Sequence, residues 1–119
     1  DARQEVKSLP TRDEQLVERM LKYCAEIEGT LDYFEYSEER FMSDYIMRNA
    51  LSMPLQQIGE LATHVTDGFI EVHGDIPWKQ IKGMRNFAAH QYEHFEFEVL
   101  WHTITEELPE LKESLLPLI

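Results

Sequence analysis

The sequence contains few of the residues that crosslink or interrupt a chain. Cys24 is the only cysteine, so an intrachain disulfide is impossible and disulfide-rich secreted scaffolds are excluded. We therefore predict a reduced, cytoplasmic setting. Five glycines and five prolines among 119 residues exclude collagen-like and low-complexity disordered chains. No apolar run approaches the roughly 18 residues that a membrane span needs, so no membrane partner is expected.

Positive charge is also scarce. The chain has 11 basic and 23 acidic residues, for a formal net charge of −12. Phosphate binding usually draws on a basic surface, so this balance argues against a protein that coats nucleic acid. An enzyme needs positive charge only locally. The most basic stretch holds five basic or titratable side chains and one acid, Glu93: Lys79, Lys82, Arg85, His90 and His94.

Apolar residues recur at three- and four-residue steps along most of the chain, which predicts helices and no strands. We predict an all-α, up-and-down bundle of four main helices, forming a single domain over residues 11–119 after a flexible lead-in over 1–10. Thr11 and Glu14 form a capping box that starts the first helix, which should end near Phe34.

The later helices are bounded by caps and prolines. Ser37 can cap a second helix, which either bends at Pro54 or divides into two shorter helices. A short extra helical turn is expected near 67–73. Pro77 suits the first turn of the third helix, and Pro109 is expected to bend the fourth.

The densest run of functional side chains is MRNFAAHQY at residues 84–92. Metal-free RNA cleavage needs groups that transfer protons at the 2′-hydroxyl and the leaving 5′-oxygen, and a cation at the phosphate. His90 titrates near neutrality and suits the proton transfers, whereas Arg85 suits the phosphate. Asn86 could hold a phosphate oxygen or orient His90. On spacing alone, however, a surface ion pair for Arg85 and a helix cap for His90 are the stronger interpretation.

A family resemblance changes that balance. Arg85-Asn86-x-x-x-His90-x-Tyr92 resembles the R-x4-H-x-Y signature of the HepT-like toxins in the HEPN superfamily. Upstream blocks resemble the same family in the same order: Arg48-Asn49-Ala50, QIGE at 57–60 and IPWKQIKGM at 76–84. A lone R-x4-H is a weak signal, but its combination with these blocks is strong.

The resemblance implies a fold, an activity and partners. It implies a homodimer of helical bundles whose motifs face a shared cleft. The dimer would act as a metal-independent endoribonuclease with Arg85 and His90 catalytic, Asn86 and Tyr92 supporting, and no cofactor. The substrate would be RNA, with a structured target such as tRNA as one option. The implied partner is an MNT-type nucleotidyltransferase antitoxin that silences the toxin by AMPylation of Tyr92. The alternative is an inactive HEPN scaffold, or a nucleotide-binding module, that binds a nucleotidyltransferase.

Several other residues have two possible roles. Arg48, Asn49 and Lys82 are candidates to line the cleft, although Arg48 and Asn49 could instead pair with acids on a neighbouring helix. His90 with His94, and Glu60 with His64, have helical spacing for metal binding, but neither pair has an obvious third ligand, so we predict no metal site.

Cys24 is expected in the core. An aromatic cluster is expected in the core or in dimer packing rather than as a base-stacking platform. Its members are Tyr33, Phe34, Tyr36, Phe41 and Tyr45.

Overall fold

The first helix begins and ends as the sequence predicts. The structure is a computed structural model that describes residues 9–86 and 94–119. Helix α1 spans Arg12–Tyr33, and the backbone N–H of Glu14 donates to the Thr11 hydroxyl at 3.1 Å. At the other end, Glu35 and Tyr36 have φ of 57° and 53°. The N–H of Tyr36 donates to the Leu31 carbonyl at 2.8 Å, which satisfies a carbonyl at the helix end.

The predicted second helix is divided into two, and the division lies at Asp44 rather than at Pro54. Helix α2 spans Glu38–Ser43 and helix α3 spans Tyr45–Thr63, with Asp44 in extended backbone between them. The Asp44 carboxylate accepts the N–H of Ile46 at 2.9 Å and so caps α3. Pro54 lies inside α3. The alternative of a helix boundary at Pro54 was therefore wrong, and a bend at Pro54 stays a prediction.

Two short helices follow α3. Helix α4 spans Asp67–Val72, which confirms the extra helical turn. The Asp13 carboxylate accepts both the N–H (3.0 Å) and the hydroxyl (2.7 Å) of Thr66, the residue that caps α4. This contact joins the start of α1 to the end of α3, so the two helices run antiparallel.

Helix α5 spans Trp78–Gly83, with Pro77 immediately before it, and continues into a 3-10 turn over residues 84–86. Trp78, Ile81 and Met84 are buried on one side, as their spacing predicts. The Trp78 indole N–H donates to the carbonyl of His73 at 2.9 Å. This arrangement leaves the opposite side of α5 facing solvent.

The predicted fourth helix changes geometry before Pro109. Helix α6 spans His94–His102, a π-helical turn spans Thr103–Glu107, and helix α7 spans Leu108–Leu115. Pro109 lies in the first turn of α7, directly after the π-helical turn. A bend at Pro109 stays a prediction.

The core lies between α1, α3, α5 and the α6–α7 segment, which confirms the all-α bundle. Cys24 is buried, as expected. Within the described ranges there is no strand, and no helix there is long and apolar enough to cross a membrane. Of the aromatic cluster, Phe41 is buried against Trp101, whereas Tyr33, Tyr36 and Tyr45 are 80%, 49% and 66% exposed. A core position within the chain was therefore wrong for these three, and dimer packing stays a prediction. The predicted lead-in lies mostly outside the described residues, and the domain limits stay a prediction.

Candidate functional site

The backbone of Arg85 lies directly against α3 at Gly59. A Cβ added to Gly59 would collide with the backbone nitrogen of Arg85 and would lie 3.1 Å from its Cα. Gly59 is buried within α3, so the close approach depends on its missing side chain. The 3-10 turn that carries Arg85 is therefore fixed against α3 at this point.

The Arg85 side chain, in contrast, reaches solvent. It is 50% exposed, and its Nη1 lies 3.9 Å from Oε2 of Glu60. That separation is too long for a hydrogen bond, and an exposed ion pair of this kind is weak. A guanidinium has five N–H donors in a planar fork. Because this is its one ion pair with a described residue, the Arg85 guanidinium is free to donate hydrogen bonds to a phosphate.

Glu60 links Arg85 to a histidine. Its Oε1 lies 3.6 Å from Nε2 of His64, the residue directly after the end of α3. Arg85, Glu60 and His64 therefore form a row on the surface. In the part of the chain that the structure describes, no group of three His, Cys, Asp or Glu side chains is placed to hold a metal ion.

Two lysines precede Arg85 on α5. Lys79 is exposed and Lys82 half-buried, and both lie on α5 away from its buried side. Neither lysine forms an ion pair with a described residue. Asn86 is exposed next to Arg85. Lys79, Lys82 and Arg85 thus place three cations within seven residues of an otherwise acidic chain. Phosphate binding there stays a prediction.

Arg48 holds two helices together. Its Nη1 donates to the carbonyls of Phe41 (2.8 Å) and Met42 (3.0 Å) at the end of α2, and its guanidinium lies 4.2 Å from the ring centroid of Phe97 on α6. Among the described residues, Arg48 forms no ion pair with an acidic side chain, so that alternative prediction was wrong.

Arg48 and Arg85 lie far apart within one chain. Arg48 precedes Glu60 by twelve positions in α3, which is about 18 Å along a helix axis. One chain therefore does not bring Arg48 next to Arg85. Asn49 is exposed on α3. The cleft roles of Arg48, Asn49 and Lys82 stay predictions.

The remaining motif residues, His90 and Tyr92, lie outside the described residues, and so does the side chain of His94. Their roles stay predictions. The roles of Gly59 and Glu60 were not predicted, although both residues belong to the QIGE block. The available signal was a glycine inside an apolar helical pattern, which costs stability relative to alanine and so suggests a packing reason.

Comparison with known proteins identifies the family. The model of the family described as ribonuclease HepT-like matches residues 20–118. This chain belongs to the HepT-like ribonuclease family. The match includes α3, α5 and the whole stretch from Arg85 to Tyr92. Membership in the HepT-like family therefore covers the fold and the site region, while the roles of individual residues need their own argument.

Similar HepT-like proteins carry ribonuclease names. A protein of Caldanaerobacter subterraneus subsp. tengcongensis, named "Putative RNase TTE0752", is 36% identical over 78 residues, covering 66% of this chain and 70% of that protein. "Probable ribonuclease HepT" of Thermococcus cleftensis is 34% identical over 74 residues, covering 62% and 67%. "Putative RNase MJ1216" of Methanocaldococcus jannaschii is 29% identical over 107 residues, covering 89% and 87%. No solved structure shows a significant match.

Proposed function

We propose that this chain is a metal-independent endoribonuclease, the toxin of a toxin–antitoxin module, which cleaves RNA in the cytoplasm with Arg85 and His90. The observation that carries the proposal is the half-exposed Arg85 guanidinium, whose backbone is fixed against Gly59. Arg85 follows two lysines of α5 that have no ion-pair partner among the described residues. Membership in a ribonuclease family supports the same activity.

The proposed chemistry needs no metal. A base removes the proton from the 2′-hydroxyl, the 2′-oxygen attacks the adjacent phosphorus, and an acid protonates the 5′-oxygen as its bond to phosphorus breaks. The products are a 2′,3′-cyclic phosphate and a 5′-hydroxyl. His90 transfers the protons, because an imidazole exchanges them near neutral pH. Arg85 binds the phosphate oxygens and stabilises the charge that develops on them. Asn86 supports it by holding an oxygen or orienting His90.

A homodimer completes this scheme. One histidine cannot be base and acid in the same step, whereas a two-fold cleft supplies two histidines and two arginines. In this scheme Lys82 lines the cleft beside the RNA phosphates. Because Arg48 and Asn49 lie far along α3 from Arg85, they reach the same RNA only if it extends along the helix or contacts both chains. Mixing the parent chain with an excess of His90→Ala chain, under conditions that allow subunit exchange, tests the shared cleft. Because a mixed dimer holds only one histidine, activity should fall below the fraction of parent chain present. Activity proportional to the amount of parent chain argues for separate sites.

The proposed partner is an MNT-type nucleotidyltransferase antitoxin. The Tyr92 phenol oxygen would attack the α-phosphorus of ATP, releasing pyrophosphate and leaving an adenylate on the tyrosine. Added bulk and negative charge near Arg85 would exclude an RNA phosphate. The net charge of −12 suits a basic surface on this partner. Incubation with the partner and ATP should add one adenylate to the parent mass and none to a Tyr92→Phe variant. Equal addition to both would place the modification elsewhere.

The deciding experiment is incubation of purified protein with total RNA in excess EDTA, beside His90→Ala and Arg85→Ala variants. We expect cleavage by the parent and none by either variant. Cleavage by His90→Ala would remove the catalytic assignment. If the parent is inert, its intact mass is measured, since an adenylate would mean a silenced enzyme. An unmodified, inert parent would favour the scaffold function.

A further inference from the structure

The structure fixes the backbone of Arg85 more firmly than its guanidinium. Contact with Gly59 locates the Cα, but a long side chain with several rotatable bonds separates the Cα from the charged group. Half of that side chain faces solvent. A cation that must meet a phosphate in one geometry needs a second point of attachment, because misplacement by about 1 Å can cost a large factor in rate.

Glu60 occupies the position where that attachment is possible. It follows Gly59 directly, so the same turn of α3 that contacts the Arg85 backbone also presents a carboxylate to the side chain. Its two oxygens have different partners: Oε2 lies 3.9 Å from Arg85 Nη1, and Oε1 lies 3.6 Å from His64 Nε2. The carboxylate is thus shared between a helix neighbour and the guanidinium.

We propose that Glu60 is a positioning residue that orients the Arg85 guanidinium toward the phosphate of RNA. This inference rests on the proposed function. Glu60 lies nearest to one terminal nitrogen of Arg85, Nη1, so the other N–H donors of the guanidinium are available to a phosphate.

The charge of Glu60 has a second, opposite consequence. A carboxylate beside Arg85 reduces its attraction for phosphate. Glu60 and Arg85 are 51% and 50% exposed, so solvent and salt screen this repulsion. Orientation is therefore expected to be the larger effect, and loss of the carboxylate should weaken the site rather than strengthen it.

The first test does not depend on activity. In ¹⁵N-labelled protein, the Nε–H signal of Arg85 is assigned with an Arg85→Lys variant, and its heteronuclear NOE is measured. Glu60→Gln should lower the NOE and shift the signal. Glu113→Gln is the matched control, because it removes the same charge from an exposed residue of α7. An Arg85 signal that is the same in Glu60→Gln and in the parent would overturn the proposal.

The second test asks whether Glu60 acts through Arg85. Glu60→Gln should lower kcat/KM on RNA roughly tenfold, with unchanged thermal unfolding. Affinity for a 2′-deoxy oligonucleotide, which cannot be cleaved, should fall several-fold. In an Arg85→Ala background, Glu60→Gln should have no further effect on that affinity. Tighter binding by Glu60→Gln, or an equal loss in both backgrounds, would contradict positioning. If the parent cleaves no RNA, the proposed function fails, while the NMR result still decides whether Glu60 orders Arg85.

Discussion

At the scale of single residues, Gly59 is the closest contact between α3 and the turn that carries Arg85. Gly59→Ala places a methyl group against the Arg85 backbone, which cannot move as a flexible side chain would. We expect the free energy of unfolding to fall by about 1–3 kcal/mol, as overpacking of a close contact does. RNA cleavage should fall with it, because the turn must move away from α3. Urea unfolding followed by circular dichroism measures the stability.

Gly29 provides the control for this substitution. It also lies inside a helix, but a Cβ there meets nothing within 4 Å. Gly29→Ala should therefore raise the free energy of unfolding by about 0.5–1 kcal/mol, since alanine loses less backbone freedom in a helix than glycine does. Equal stability of the Gly59→Ala and Gly29→Ala proteins would contradict the close approach at Gly59.

Cys24 should make the stability of the fold sensitive to alkaline pH. Burial, reinforced by the charge of Glu28 and partly offset by Lys112, raises the pKa of the Cys24 thiol to about 11 from an ordinary value of 9.0. Above pH 9 the unfolded chain loses this proton while the folded chain retains it, so stability falls as pH rises from 9 to 11. The loss should reach about 2 kcal/mol.

Cys24→Ala isolates this effect. The variant lacks the thiol, so the difference in unfolding free energy between parent and variant should be constant below pH 9 and should shift against the parent above it. Urea titrations at pH 7, 9 and 10.5 measure it. A difference that stays constant over this range would show that the thiol does not retain its proton in the fold.

At the scale of helices, Asp44 decides where α3 begins. Its carboxylate accepts the N–H of Ile46 and lies 3.2 Å from Arg40 Nε. The Ile46 N–H chiefly, with Arg40 also contributing, lowers the pKa of Asp44 below its ordinary value. The stabilisation is therefore present above the unfolded-state pKa and is lost as pH falls through the lower, folded-state pKa. Asp44→Ala should lower the Tm at pH 7 and lose less stability on acidification than the parent.

Asp44→Asn separates the cap from the charge. Asparagine caps helices about as well as aspartate, so this variant should retain most of the stability at neutral pH. It should nevertheless lose the acid sensitivity that Asp44 contributes. If Asp44→Asn and Asp44→Ala lower the Tm equally, the hydrogen bond to Ile46 is not what stabilises the start of α3.

Helix boundaries show what local patterns predict well. The caps Thr11 and Ser37 were identified correctly, because a cap needs only a side-chain oxygen and a backbone N–H a few residues away. In contrast, the helix boundary that was considered at Pro54 was wrong. A proline removes one N–H from a helix, and burial of residues on both sides of Pro54 keeps α3 helical across it.

At the scale of the whole molecule, the proposed function must work against a net charge of −12. RNA binding should therefore depend on a few local cations and should be sensitive to salt. If Lys79, Lys82 and Arg85 each contact a phosphate, the slope of log K against log salt should be about −2 per chain for a single strand. Fluorescence anisotropy with a 2′-deoxy oligonucleotide at several salt concentrations measures that slope.

Substitutions of these lysines test the same point. Lys79→Gln combined with Lys82→Gln should reduce the slope to about −0.7, because only Arg85 remains. Lys22→Gln removes an exposed cation from α1 and should leave the slope unchanged. A slope that changes with Lys22 and not with the α5 lysines would place the RNA on another surface of the bundle.

The sequence by itself determined the helical class, the bounds of α1, the local excess of positive charge and the family-like motif around Arg85. Each of these depends on residues close together along the chain, where periodicity, caps and charge can be counted. Only the tertiary structure decided that the Arg85 backbone packs against Gly59, that Glu60 faces its guanidinium and that Arg48 contacts Phe97. Those contacts join residues distant in sequence, and they exist because α5 packs against α3 and α6 packs against α2, which no local pattern encodes.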